Sequence, residues 1–341
     1  MQSAMFMYTW DLRDEGIDAV LGRVRGWGVD AISLAASYHG GYVVHPHNPR
    51  HKVYMIEDGT VYFHPQQRYF ADTPLKPKVA EVARDVDWFA AAGQRLDRYG
   101  MKLIAWTVCF HNTRLGLLHP NATVQNVLGD SYPHALCPSN ESARLYARGL
   151  CRNLATEYPI HAIQIEATSF GGAFHDHHHQ GYATVMEPVE SWLMSLCFCE
   201  ACRKQAYVRG VDIESAAEAA RAHLTTFFST APVRQAGLAN TKQELLERVP
   251  AFTAVEAMRR EVEISLYQQI SAPFRGGFRS ANRQFIEPLP IRRIDPAAGP
   301  EVQLRDAIVA KVRRMLELKE RLGPLRHLLT SERDDLQRSI E

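Results

Sequence analysis

Three cysteines fall within six positions, in the run Cys197-Phe198-Cys199-Glu200-Ala201-Cys202. Three soft thiolates on one tight turn can occupy three corners of a zinc tetrahedron. A fourth ligand is then needed, and the candidates are Cys137, which opens Cys137-Pro138-Ser139-Asn140, and the histidines of His175 to His179. Sulfur-rich sites are usually closed, so a structural zinc is expected rather than a catalytic one. The alternative is a set of reduced cysteines packed in a core or turn. Six cysteines in 341 residues are too few for a disulfide framework.

A second chemistry gathers around Glu166, which closes the apolar stretch Ile163-Gln164-Ile165-Glu166 and is followed by the small, flexible Ala167 to Gly172. A carboxylate at a strand end, partly desolvated, has a raised pKa suited to proton donation. The plain alternative is a glutamate that caps or pairs. The run His175-Asp176-His177-His178-His179 comes next and offers imidazoles to a metal or hydrogen bonds to a polyol, or is simply a solvated loop. Other polar and aromatic residues cluster where strands should end: Trp10 and Asp11, His39, then His45, His47 and Asn48, then Trp106, His111 and Asn112. A mouth lined by Trp, His, Asn and one Glu suits a neutral hydroxylated ligand. A phosphate would call for Gly-rich turns and Arg.

The elements that must position these residues read as repeated strand, loop and helix. Apolar strands are expected at Met5 to Trp10, Val29 to Ser37, Met101 to Val108 and His161 to Thr168. Helices are expected from Ile17 to Trp27, from about Val79 to Tyr99 and from Glu141 to Glu157, with a long loop from Tyr38 to Pro77. Four βα steps with parallel strands define an α/β fold. The turn Thr9 to Asp14 is not the Gly-rich phosphate turn of a doubly wound nucleotide binder, and the polar residues follow strand C-termini, so a (β/α)8-type barrel is favoured.

After Cys202 the pattern turns helical, at Asp212 to His223, Lys242 to Arg248 and Ala254 to Ile270, and only Leu224 to Ser229 could pass for a strand. Four further βα units are not visible, so the barrel is expected to be incomplete. The expected organisation is a barrel region over residues 1–274, a linker over 275–301 and an amphipathic helical tail over 302–341.

Lys and Arg number 39 against 38 Asp and Glu, a net charge of +1. That balance gives no global reason to expect nucleic acid, a membrane surface or a polyanion. The first ten residues lack a secretory pattern, and no run approaches the 18 to 20 apolar residues of a membrane span, so a cytoplasmic protein is expected. The expected partner is a small carbohydrate, and exposed apolar surface on an incomplete barrel points to a homo-oligomer.

Two resemblances bear on these residues. A strand ending in Glu166, then Cys197, Cys199 and Cys202 running into Arg203-Lys204-Gln205-Ala206, with the upstream Cys137-Pro138-Ser139-Asn140 leading into Arg144, resembles glycoside hydrolase family 42 β-galactosidases and related barrels over about residues 5–210. The resemblance implies that Glu166 is the general acid/base of a retaining mechanism and that Cys137, Cys197, Cys199 and Cys202 hold zinc. The family's glutamate follows an asparagine, where this chain has Ile165, and its second carboxylate lies on a seventh strand, which is not found here. An inactive barrel remnant acting as a binding or assembly module, and a metal-dependent hydrolase or isomerase using the histidine loop, therefore stand beside the hydrolase. The segment from Phe285 to Ile294, with Arg314 to Lys319 and Ser331 to Glu341, resembles the tail of fused restriction-modification adenine DNA methyltransferases. It carries no catalytic motif of such enzymes, and its charges nearly balance, so DNA binding is not expected.

Overall fold

The computed structural model describes residues 3–173, 185–230 and 237–270. The chain divides into two units, Met1–Pro288 and Leu289–Glu341, and every described residue belongs to the first. The expected linker at 275–301 and helical tail at 302–341 lie outside the described residues. So do both the methyltransferase-like segment and the His175 to His179 run.

The heart of the first unit is a sheet whose strands β1 (Ala4–Met7), β2 (Ala31–Tyr38), β7 (Lys102–Val108) and β10 (Ala162–Glu166) lie side by side in that order, all parallel. These are the four strands legible in the sequence. Strand β2 is buried along nearly its whole length, as expected of a strand covered on both faces by its neighbours. Between them run α1 (Thr9–Glu15) and α2 (Ile17–Gly26), then α3 (Trp88–Leu96), then α5 (Glu141–Glu157). Asp87 caps α3 by accepting the Ala90 N–H, and Asn140 caps α5 by accepting the Ala143 N–H.

The register aligns Leu34, Ala105 and Ile163 on the face that α2, α3 and α5 cover with Val20, Leu21, Phe89, Leu96, Leu150 and Leu154. The opposite face carries Ser33, Trp106, Gln164 and Glu166, together with Phe6. Ser33 Oγ donates to Gln164 Oε1 at 2.9 Å although their strands are separated by β7. Flat strands two places apart would stand roughly 9 to 10 Å from each other, so the sheet is curved with this face concave. No closed barrel occurs among the described residues, and none of their other strands runs in the direction of these four within the sheet, since β5 (Thr60–Val61) pairs antiparallel with β2 and β6 (Lys78–Val79) pairs parallel with β5.

Several expectations need correcting. The first strand ends at Met7, because Tyr8 and Asp11 form a capping arrangement that starts α1 at Thr9. The helix expected from Val79 to Tyr99 is confined to Trp88–Leu96, with single 3-10 turns at Glu81–Ala83 and Asp97–Tyr99. The long loop folds into the hairpin β3 (Gly41–Val44) and β4 (Val53–Ile56) and the short strands β5 (Thr60–Val61) and β6 (Lys78–Val79). The strand-like piece from Leu224 to Ser229 is part of helix α8 (Ile213–Thr230), where Ala220, Leu224 and Phe227 are buried at helical spacing.

A second apolar cluster lies beside the sheet. It joins the hairpin of β8 (Thr123–Gln125) and β9 (Ser131–Leu136) to α6 (Pro188–Met194), α7 (Glu200–Arg209), α8, α9 (Lys242–Arg248) and α10 (Ala251–Ile270). Helix α10 bridges the two clusters, with Phe252, Val255, Met258 and Val262 in the second and Leu266 and Ile270 in the first. No described helix is long and apolar enough to cross a membrane.

The short helix α4 (Thr113–Leu118) lies so close to β9 that a Cβ at Gly116 would strike the carbonyl of Pro133. Gly116→Ala is expected to destabilise the protein by about 1 to 3 kcal/mol. Urea unfolding followed by circular dichroism would show this as a lower midpoint.

Candidate active site and metal centre

The ladder between β7 and β10 continues past the strands, with Cys109 N–H donating to Glu166 O (3.0 Å) and Phe110 N–H to Ala167 O (2.9 Å). Glu166 is thereby held against Trp106, whose indole N–H donates to Glu166 Oε2. Ala167 has φ +52°, the left-handed region that costs a non-glycine residue about 1 to 2 kcal/mol. The strain turns the chain sharply after Glu166. Trp106 sits in an aromatic group on the concave face, with ring centroids 4.8 Å from Phe6, 4.8 Å from Tyr38 and 5.5 Å from Tyr8. Phe6 is 55% exposed, Tyr8 and Tyr38 are half-buried, and Trp106 beneath them is buried.

Beside it lies a cavity of about 340 Å³ lined by His39, Phe110, His111, His134, Ala135 and Glu166, and by Ala167 and Ser169 to Gly172 of the segment that follows. Neither Lys nor Arg lines it, and Glu166 is the one carboxylate that does among the described residues. The rings of His39 and His111 stack at 4.2 Å. His39 Nδ1 lies 2.7 Å from Gly40 O and His134 Nε2 lies 2.9 Å from Gly172 O, so each of these nitrogens carries the ring proton. These imidazoles bring ring nitrogens to the cavity wall beside the carboxylate, a set that suits a ligand rich in hydroxyls.

The other expected site residues lie in the framework around this mouth. Trp10 is fully buried and donates to His45 Nε2 at 3.0 Å. An indole N–H only donates, so the proton of neutral His45 is on Nδ1, which faces Asp11 Oδ1 at 3.6 Å. Asp11, His45 and His47 are close enough to hold a metal, but this tautomer leaves His45 no lone pair for it. Trp10 and His45 are joined by a hydrogen bond, and Asp11 faces His45 at ion-pair range, its Oδ1 buried without a hydrogen-bond partner among the described residues. Asp11 Oδ2 accepts the Tyr8 N–H, and burial pushes the Asp11 carboxyl up. His47 is exposed beside Glu15. Asn48 is buried, donates to Asp14 and accepts the backbone N–H groups of Arg50 and His51. Asn112 caps α4 through the Leu115 N–H.

The structure thus brings Glu166, Trp106, His39 and His111 together, and adds residues that the sequence reading missed. Tyr8, Phe6, Phe170 and His134 reach the site through strand alternation and tertiary contact. For His134 the link is the bridge between His111 and Ala135, which no local spacing signals.

The four cysteines converge inside the second cluster. Cys137 Sγ lies 3.8 Å from Cys197 Sγ, 3.6 Å from Cys199 Sγ and 3.6 Å from Cys202 Sγ. A tetrahedral ion with metal–sulfur bonds of about 2.3 Å requires sulfur–sulfur edges of about 3.8 Å, so the donor set fits. Local structure explains the convergence. Cys199 is the N-cap of α7 and Cys202 lies in its first turn, while Cys197 is held to β8 by the Gln125 N–H at 3.4 Å and the Phe198 N–H to Gln125 O at 2.7 Å. Thiols of Cys137, Cys197 and Cys202 aimed at Cys199 hold its sulfur well below the usual thiol range, and burial pushes Cys137 up. This buried group can bind a metal ion.

No protein-family model and no curated protein matches the chain. Among solved structures it is similar to the α-L-fucosidase isoenzyme 2 of Paenibacillus thiaminolyticus, at 12% identity and a TM-score of 0.46, over 84% of this chain and 34% of that one. It is also similar to a β-galactosidase of the haloarchaeon Halorubrum lacusprofundi, at 12% identity and a TM-score of 0.41, over 79% and 35%. A third similarity is to the β-galactosidase of Marinomonas ef1, at 11% identity and a TM-score of 0.38, over 80% and 36%. The match spans about a third of the length of each of these enzymes. The methyltransferase resemblance of the C-terminal segment finds no support in the comparisons.

The framework around the mouth depends on Asp14, which joins α1 to the 45–52 turn. Burial pushes its carboxyl up, but hydrogen bonds from Arg13, Asn48 and His51 outweigh this and hold it at about 2. A folded-state pKa below the unfolded 3.8 stabilises the protein above about pH 4, and that contribution is lost as pH falls from about 4 to about 2. It amounts to about 2 kcal/mol. Asp14→Asn should therefore lose less stability than the wild type when urea unfolding at pH 6 is compared with pH 2.5.

Proposed function

We propose that the chain is a carbohydrate-binding, glycoside hydrolase-like protein in which Glu166 donates a proton to a glycosidic oxygen. The observation that carries this reading is the setting of Glu166. It sits at the end of β10, the edge strand of the parallel set, hydrogen-bonded by the Trp106 indole, beside an aromatic group whose Phe6 is exposed and a cavity that no cationic side chain lines among the described residues. Barrel proteins place their chemistry at this end of the strands. An aromatic face stacks on the apolar face of a sugar ring, and histidine acceptors and a carboxylate receive its hydroxyls. Among the described residues one carboxylate lines the cavity, which favours a second reading, a binding module without turnover, because hydrolysis uses two.

The Cys137, Cys197, Cys199 and Cys202 group is proposed to hold a structural Zn2+. Four sulfurs close the coordination shell, so the ion would organise α7 and the β8–β9 hairpin and take no part in the chemistry.

Two experiments test these assignments. Wild-type protein assayed on a panel of aryl glycosides should show turnover that Glu166→Gln lowers by at least about a hundredfold, with sugar binding and fold retained. Turnover equal in the variant removes Glu166 from the mechanism, and binding without turnover in the wild type establishes the second reading. Metal analysis should find one zinc per chain, lost in Cys199→Ser together with a lower melting temperature. A metal-free, equally stable wild type would reject the zinc.

A further inference from the structure

The segment leaving β10 forms the cavity wall nearest Glu166, yet the sheet ladder reaches only as far as Ala167. Its far end is held by His134 Nε2 at Gly172 O (2.9 Å) and by Ser195 Oγ, which accepts the Ala173 N–H (3.3 Å), and its middle, at Phe170, is held by α10. The Phe170 backbone N–H donates to Glu263 Oε1 at 3.1 Å, and the Arg259 guanidinium lies 4.6 Å over the Phe170 ring. Arg259 and Glu263 are four residues apart and so share one helix face. They grip the backbone and the side chain of the same buried residue.

Glu263 is poorly placed to serve solubility or surface charge. Its carboxyl is pushed up by burial, against the pull of the Phe170 N–H and of Arg259 and Arg260. A desolvated carboxylate is costly unless its hydrogen bond matters to the fold around it. The segment also has no slack on its other side, since a Cβ at Gly171 would lie 2.6 Å from Ala135 Cβ on β9. It is pinned between α10 and β9, immediately after the strained turn at Ala167.

We propose that Glu263 is a positioning residue of the site, which sets the course of 167–172 and with it the wall that faces Glu166. The proposal rests on the assignment of this cavity as the binding site. Amide hydrogen exchange on the full chain gives a readout that needs no activity. Glu263→Ala should speed exchange of the peptide containing Phe170 by at least about tenfold, because a hydrogen bond to a charged acceptor is lost. Glu263→Gln keeps a carbonyl acceptor in the same place and should restore most of the protection. Where the wild type hydrolyses an aryl glycoside, kcat/KM should fall in Glu263→Ala and recover in Glu263→Gln. A wild type without turnover counts against the hydrolase alone, and the exchange result still decides the role of Glu263. Unchanged Phe170 exchange in Glu263→Ala overturns the proposal. So does loss of protection spread over the whole chain in both variants.

Discussion

Everything at the site hangs on the pairing of β7 with β10. Parallel strands place their C-terminal ends at one edge of the sheet, and the register sets Val108 opposite Glu166. Two further bonds beyond the strands, from Cys109 to Glu166 and from Phe110 to Ala167, carry the ladder into the mouth. The indole of Trp106 can reach the carboxylate only because this register is fixed. A slip of one residue would send Glu166 to the helix-covered face, where a charge could not be buried. The curvature of the sheet then brings Phe6, Tyr8 and Tyr38 around Trp106, although they come from strands on its other side.

Helix α10 links this sheet to the metal centre. Arg144, buried on α5, donates to Pro138 O beside Cys137 and to Val262 O and Ser265 Oγ on α10. Its guanidinium meets carbonyl and hydroxyl oxygens in place of a carboxylate, and burial lowers its pKa. The same helix, a turn away, grips Phe170 through Glu263 and Arg259. One helix therefore ties the loop of the upstream cysteine to the wall of the cavity, and its apolar face runs through both hydrophobic clusters.

The four strands, α5 from Glu141 to Glu157 and α9 from Lys242 to Arg248 were legible because apolar periodicity is a local signal, and capping residues such as Asn140 mark its start. The cysteine cluster was legible for the same reason, since three ligands share one turn. Trp10, Asp11, Asn48 and Asn112 show where local reasoning stops. Each follows a strand, yet each is drawn into the framework by a partner distant in sequence, as Asn48 is by Asp14. His134 illustrates the converse, a residue with no local mark that a tertiary bridge delivers to the cavity. The piece from Leu224 to Ser229 misled because its apolar run is short, and only its continuity with Ile213 to His223 makes it helical.

The hairpin of β8 and β9 belongs to both sites at once. Gln125 on β8 grips the loop of Cys197 and Phe198, while His134 and Ala135 on β9 face the cavity. The two ends are joined by the Thr123–Leu136 pairing, and the hairpin meets the segment leaving β7 at the His111–Ala135 bridge, where Leu136 N–H donates to Phe110 O and Asn112 N–H to His134 O. The cavity is thus walled by a part of the molecule that shares no strand with Glu166 and whose other end is held at the sulfur cluster.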